Sequence, residues 1–131
     1  MDIAFSQEDL AFRDEVRAFF TEHFTDEIQQ DMRGKDLKKG LVVWQKKLHA
    51  RGWIAPNWPA EYGGTGWTAT QKYIFETERS LAGIPATIPF GLSMVGPVIY
   101  QFGTPEQKEK FLPRVLASDD WWCQGYSEPG S

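Results

Sequence analysis

Trp121-Trp122-Cys123-Gln124-Gly125-Tyr126-Ser127-Glu128-Pro129-Gly130-Ser131 is the stretch whose reading decides the fold. Its aromatic start predicts a strand. Ser-Glu-Pro-Gly-Ser then predicts a turn, because proline presets one backbone angle and glycine supplies the reversed one. No second convincing strand precedes it. A six-residue strand spans about 20 Å and carries a row of backbone donors and acceptors that need partners. Those partners are expected from chain beyond Ser131 or from another subunit, and everything before Trp121 reads as helix and loop.

Working outward, 131 residues suit one domain with one core. Hydrophobic residues at 41% and charged residues at 24% suit a globular chain and argue against extended disorder. Six tryptophans exceed what helix packing alone needs, so most are expected in the core and some at an interface or ligand site. A net charge of -4 disfavours nucleic acid, whose phosphates call for a dense positive surface. Lys38-Lys39 and Lys46-Lys47 read as solvated helix faces. One cysteine, Cys123, excludes an internal disulfide, and His23 and His49 lie too far apart in sequence to suggest zinc, so no metal is expected. Met1-Asp2-Ile3-Ala4 lacks the cationic start of a signal peptide, and no apolar run reaches membrane-spanning length. The expected setting is cytoplasmic, with no membrane partner.

Ser6-Gln7-Glu8-Asp9 fits a helix start in which the hydroxyl and the later carboxylate satisfy orphan amides. Leu10, Phe12, Val16, Phe19 and Phe20 then form a one-sided stripe. Around Thr25 to Gly34 the pattern turns polar and the helix ends or breaks. A second helix runs from about Asp36 or Leu41 to Arg51, with Leu41, Trp44 and Leu48 inward and Gly52 as its stop. From Gly52 to Trp67 the composition predicts a packed, rigid loop, stiffened by Pro56 and Pro59. Thr68 starts a third helix whose buried stripe is expected at Ala69, Tyr73, Ile74, Thr77 and Leu81. Gly91 to Phe102 is apolar almost throughout, which predicts burial on most sides, with a kink or restart at Pro97. Thr104-Pro105 opens a last helix, and Pro113 leaves one helix and two short pieces equally open.

The residues alone supply little catalytic constellation. Ser127 with His23 or His49 lacks a nucleophile elbow and a third residue to orient the imidazole. Glu61, Glu76, Glu78 and Glu128 show no spacing that nominates a general-base pair. No glycine-rich loop opens a helix to cradle phosphate.

Gln124 to Ser131 resembles the first half of the acyl-CoA dehydrogenase signature, without its usual Gly-Ser-Asp tail. Two upstream blocks fit the same family in the same order. One is Gly52-Trp53 through Pro56, Trp58-Pro59 and Glu61-Tyr62-Gly63-Gly64; the other is Gly103-Thr104-Pro105-Glu106-Gln107-Lys108 leading to Leu112-Pro113. Three blocks in register are far more specific than any one. The resemblance implies an all-α helical bundle over residues 1–120, with residues 121–131 as the first strand of a β-type middle domain. It implies FAD as cofactor, with Gln124, Tyr126 and Ser127 as flavin-contacting residues, and an acyl pocket lined by Leu92, Met94 and Val95. The implied reaction is removal of the α proton of an acyl-CoA by a glutamate, with transfer of the β hydride to FAD. Electrons then pass to an electron-transfer flavoprotein, and the full-length enzyme is a homo- or hetero-oligomer. That glutamate lies in the family's carboxy-terminal domain, so no catalytic residue is expected here, and the chain alone is expected to be an inactive fragment. The alternative is a non-catalytic helical interaction module that pairs its carboxy-terminal strand with a partner chain.

Overall fold

The computed structural model describes residues 5–130. The described residues are helical and contain no strand. Six α-helices follow one another: α1 (Gln7–His23), α2 (Asp26–Gln30), α3 (Leu37–Arg51), α4 (Ala69–Leu81), α5 (Gly96–Phe102) and α6 (Pro105–Leu116).

Local chemistry sets most of the boundaries. Ser6 with Asp9, Thr68 with Gln71, and Thr104 with Gln107 form reciprocal capping boxes at the starts of α1, α4 and α6. Gly52 ends α3 in the left-handed conformation at φ 80°, which costs a glycine nothing. Pro113 lies inside α6, which continues as one helix to Leu116. The polar stretch after α1 holds the short α2, capped by Thr25, and then a wide π-helical turn over Asp31–Lys35.

α1 packs along α4, while α3 packs against α2 and the turn that follows it. Aromatic rings fill the space between. Phe12 lies 5.0 Å from Trp67, Phe19 4.9 Å from Trp53, and Trp44 5.1 Å from Phe24, ring centre to ring centre. Trp44 is only 1% exposed. The 52–67 segment is the packed loop its composition predicts, for Trp53, Ile54, Ala55 and Trp58 are all buried. Trp58 also ties the bundle to the rest of the chain. Its Nε1 donates to the Leu92 carbonyl at 2.7 Å, and a Cβ at Gly96 would stand 2.2 Å from its ring. Only glycine lets α5 start so close to the indole.

Three expectations need correction. The buried face of α4 is Ile74, Phe75 and Glu78, whereas Tyr73 and Leu81 are 62% and 74% exposed. Two sets of contacts are the reason: Phe75 packs against Phe20, Trp53 and Trp67, and Arg17 of α1 grips Glu78 with two hydrogen bonds, Nε at 2.7 Å and Nη2 at 2.9 Å. The apolar stretch 91–102 is not covered on most sides. Phe90–Val95 forms a π-helical turn, α5 follows, and Val98 and Phe102 are left outward, Phe102 at 80% exposure. The expected strand at Trp121 has no ladder among the described residues. The chain is without regular structure over 121–128, because a strand exists only where a second backbone row faces it.

Candidate functional site

The tail runs back along the open side of α5. Trp122 holds it there, its ring 6.1 Å from that of Phe111 in an edge-on arrangement and its Cδ1 close against Gly91, where a Cβ would approach to 3.2 Å. Beyond Trp122 the tail and the Phe90–Val98 segment enclose an open cleft of about 380 Å³. Met94, Val95 and Val98 line one wall, and Trp122, Cys123, Gln124 and Tyr126 the other. The walls touch where the Gln124 Nε2 donates to the Met94 Sδ at 3.2 Å.

Four residues singled out from the sequence therefore share this cleft: Gln124, Tyr126, Met94 and Val95. The other two stand apart. Leu92 is buried in the core, its carbonyl taken by Trp58, and Ser127 is exposed one residue past the lining. Sequence reading missed Phe90, Val98, Trp122, Cys123 and Gly125 as lining residues. Val98 had a legible signal, since it lies four residues after Met94 and repeats at helical spacing.

The walls are apolar with polar points. The indole Nε1 of Trp122, like that of Trp44 in the core, is fully buried without a hydrogen-bond partner among the described residues, so it is not presented to the cleft. Gln124 adds an amide, and Tyr126, 87% exposed, a phenol. Among the described residues, no lysine, arginine, histidine or carboxylate lines the cleft. His23 packs its ring 4.5 Å from Phe19, and His49 lies in a separate hollow beside α6. Among the carboxylates, Glu78 is held by Arg17 and Glu76 by Arg79. No cluster of three or more metal-ligating side chains occurs among the described residues. No described helix is long and apolar enough to cross a membrane.

The root of the tail is charged and pinned. Lys46 of α3 reaches Asp119 at 2.6 Å, and Arg114 of α6 reaches Asp120 through two bonds at 2.6 and 2.8 Å. These hydrogen bonds, with the cationic charges behind them, hold both carboxyls below their ordinary titration range.

Fold and cleft together define a class: a helical domain with an open, largely apolar cleft between α5 and its carboxy-terminal tail. The chain belongs to the acyl-CoA dehydrogenase family, for residues 6–119 match the acyl-CoA dehydrogenase, N-terminal domain. It is 36% identical to the acyl-CoA dehydrogenase FadE26 of Mycobacterium tuberculosis, over all of this chain and 34% of that protein. Its identity to the acyl-CoA dehydrogenase IpdE1 of the same organism is 40%, over 68% of this chain and 23% of that one. Among solved structures, the ChsE4-ChsE5 complex from Mycobacterium tuberculosis superposes with a TM-score of 0.79 at 34% identity, over 100% of this chain and 33% of that chain. The Tcur3481-Tcur3483 steroid ACAD gives 0.71 at 33% identity, over 100% of this chain and 34% of that one. The chain thus spans about a third of the length of FadE26 and of the two solved chains.

Proposed function

We propose that this chain forms the amino-terminal helical part of an FAD-dependent acyl-CoA dehydrogenase, which dehydrogenates an acyl-CoA thioester between its α and β carbons. The observation that carries this reading is the meeting of Gln124 and Tyr126 with Met94 and Val95 on one cleft. The cleft fits the ring portion of a flavin. Its apolar wall suits a planar conjugated face, and the Gln124 amide and the nearby Ser127 hydroxyl suit a polar edge. It does not fit the pyrophosphate, because no cationic side chain lines it. Phosphate recognition therefore falls to residues outside this cleft.

In this reading FAD supplies hydride acceptance, and the chain's own residues hold and shield. Ser127, exposed one residue past the lining, would offer its hydroxyl to the polar edge of the bound ring, a bond worth about 1 kcal/mol net and more where negative charge develops. Met94, Val95 and Val98 keep water from the acyl chain, and an unbranched thioether adapts to irregular shapes. With no carboxylate or imidazole on the cleft, abstraction of the α proton is assigned to a group beyond these residues. Two structural relatives are named as assemblies of two differently designated chains, and one of them as a steroid enzyme. We extend both features to this protein as a hetero-oligomeric assembly acting on a bulky acyl-CoA, with an electron-transfer flavoprotein as electron acceptor. We also infer a domain boundary near residue 120, where the pinned corner releases the tail.

Anaerobic addition of acyl-CoA substrates to the purified assembled enzyme tests this. Bleaching of the flavin absorption, faster with steroid-bearing than with short straight-chain thioesters, is the expected result. An assembly that carries no flavin, or whose flavin no acyl-CoA bleaches, would instead favour a non-catalytic helical subunit.

A further inference from the structure

Gln45 sits on α3 and is only 5% exposed. A buried amide must satisfy both of its ends, and Gln45 does so across long stretches of sequence. Its Oε1 accepts from the Ile88 backbone N–H at 2.7 Å, and its Nε2 donates to the Ser118 hydroxyl at 2.8 Å. These two partners are the roots of the two cleft walls. Ile88 stands two residues before the Phe90–Val95 turn that carries Met94 and Val95. Ser118 stands four residues before Trp122, where the opposite wall begins.

Ser118 is also the one non-glycine residue with positive φ among the described residues, at 56°. A serine holds that conformation only where its surroundings over-determine it. Here they do, since Asp119 and Asp120 are anchored next to it by Lys46 and Arg114. The tail thus leaves the bundle in a direction set by α3 and α6.

We propose that Gln45 is a positioning residue: by tying Ile88 to Ser118 it sets the spacing of the cleft walls and the register in which Gln124 meets Met94. Its bearing on flavin rests on the reading of the cleft given above; the positioning itself does not. The role needs hydrogen bonding at both ends. Methionine matches the volume, cannot donate to Ser118 and offers the Ile88 N–H only a weak sulfur acceptor, whereas a glutamate accepts from the Ile88 N–H and from the Ser118 O–H alike.

Exchange of the Ile88 amide proton and the Trp122 indole proton, followed by NMR in the full-length protein labelled at isoleucine, phenylalanine and tryptophan, tests the proposal. Gln45→Met should make both exchange about tenfold faster, the size expected for losing two modest hydrogen bonds. Amides within α1 and α4 should keep their rates, and Gln45→Glu should restore most of the protection at Ile88. Wild-type rates at both protons in Gln45→Met would overturn the proposal. An equal acceleration in α1 and α4 would overturn it too, because Gln45 would then merely support the core. Should Gln45→Met fail to fold, Ser118→Ala removes one bond only and must still speed the Trp122 indole; an unchanged rate there overturns the proposal. No flavin enters the readout, so failure here and failure of the flavin reading are separable.

Discussion

Two regions of this molecule use the same residue types in opposite ways. In the bundle of α1, α3, α4 and the 52–67 loop, phenylalanines and tryptophans bury one another, with Trp44 at the centre. Along α5 and the tail, Val98, Phe102, Trp121 and Tyr126 face outward. Aromatic and branched surface contributes binding energy wherever it leaves water, so the first region has used that energy within the chain and the second still offers it. Stability resides in the first region, and the proposed recognition in the second. Trp58 and Gln45 are the seams between them.

Substitutions can break that division. Trp44→Ala should cost about 3 to 5 kcal/mol of stability in chemical denaturation, the range for emptying a large buried aromatic site. A loss below about 1 kcal/mol would mean that the bundle is not the stabilising region. Ser127→Ala in the assembled enzyme should slow flavin reduction roughly fivefold, about 1 kcal/mol, while leaving FAD retention nearly unchanged. Equal loss of both would reduce Ser127 to a plain binding contact. Acid sharpens the comparison at the seam. Asp119 and Asp120 titrate below their ordinary range, so their support for the corner is fully present above that range and is lost as pH falls through their lowered values. Amide exchange at Ser118 and Asp119 should rise there before exchange in α1 does. The smallest effect is expected from Phe102→Ala, which should change stability by no more than about 0.5 kcal/mol, because the ring is exposed.

What was legible in the sequence follows the range of the interaction. Caps act within four residues, so Ser6, Thr68 and Thr104 announced their helices. The face of α4 was misread because Tyr73 and Leu81 satisfy the apolar period, while the contacts that bury the other face come from elsewhere in the chain: Phe20 and Trp53 on Phe75, and Arg17 on Glu78, 61 residues away. Gln45 was invisible for the same reason, its partners lying 43 and 73 residues off. The tail residues were singled out through family resemblance, and the cleft that joins Gln124 to Met94 emerges only from the folded chain. The aromatic start at Trp121 has strand-like composition, yet composition cannot supply the second backbone row that a ladder needs.

The central claim is that the cleft between α5 and the tail is a wall of the flavin site. Cys123, the chain's one cysteine, is exposed and lines that cleft, so its alkylation reports on occupancy directly. Peptide-resolved labelling of the assembled enzyme, stripped of FAD and then resupplied with it, should show Cys123 reacting freely without the cofactor and protected with it. A Cys123 labelling rate indifferent to FAD would contradict the account.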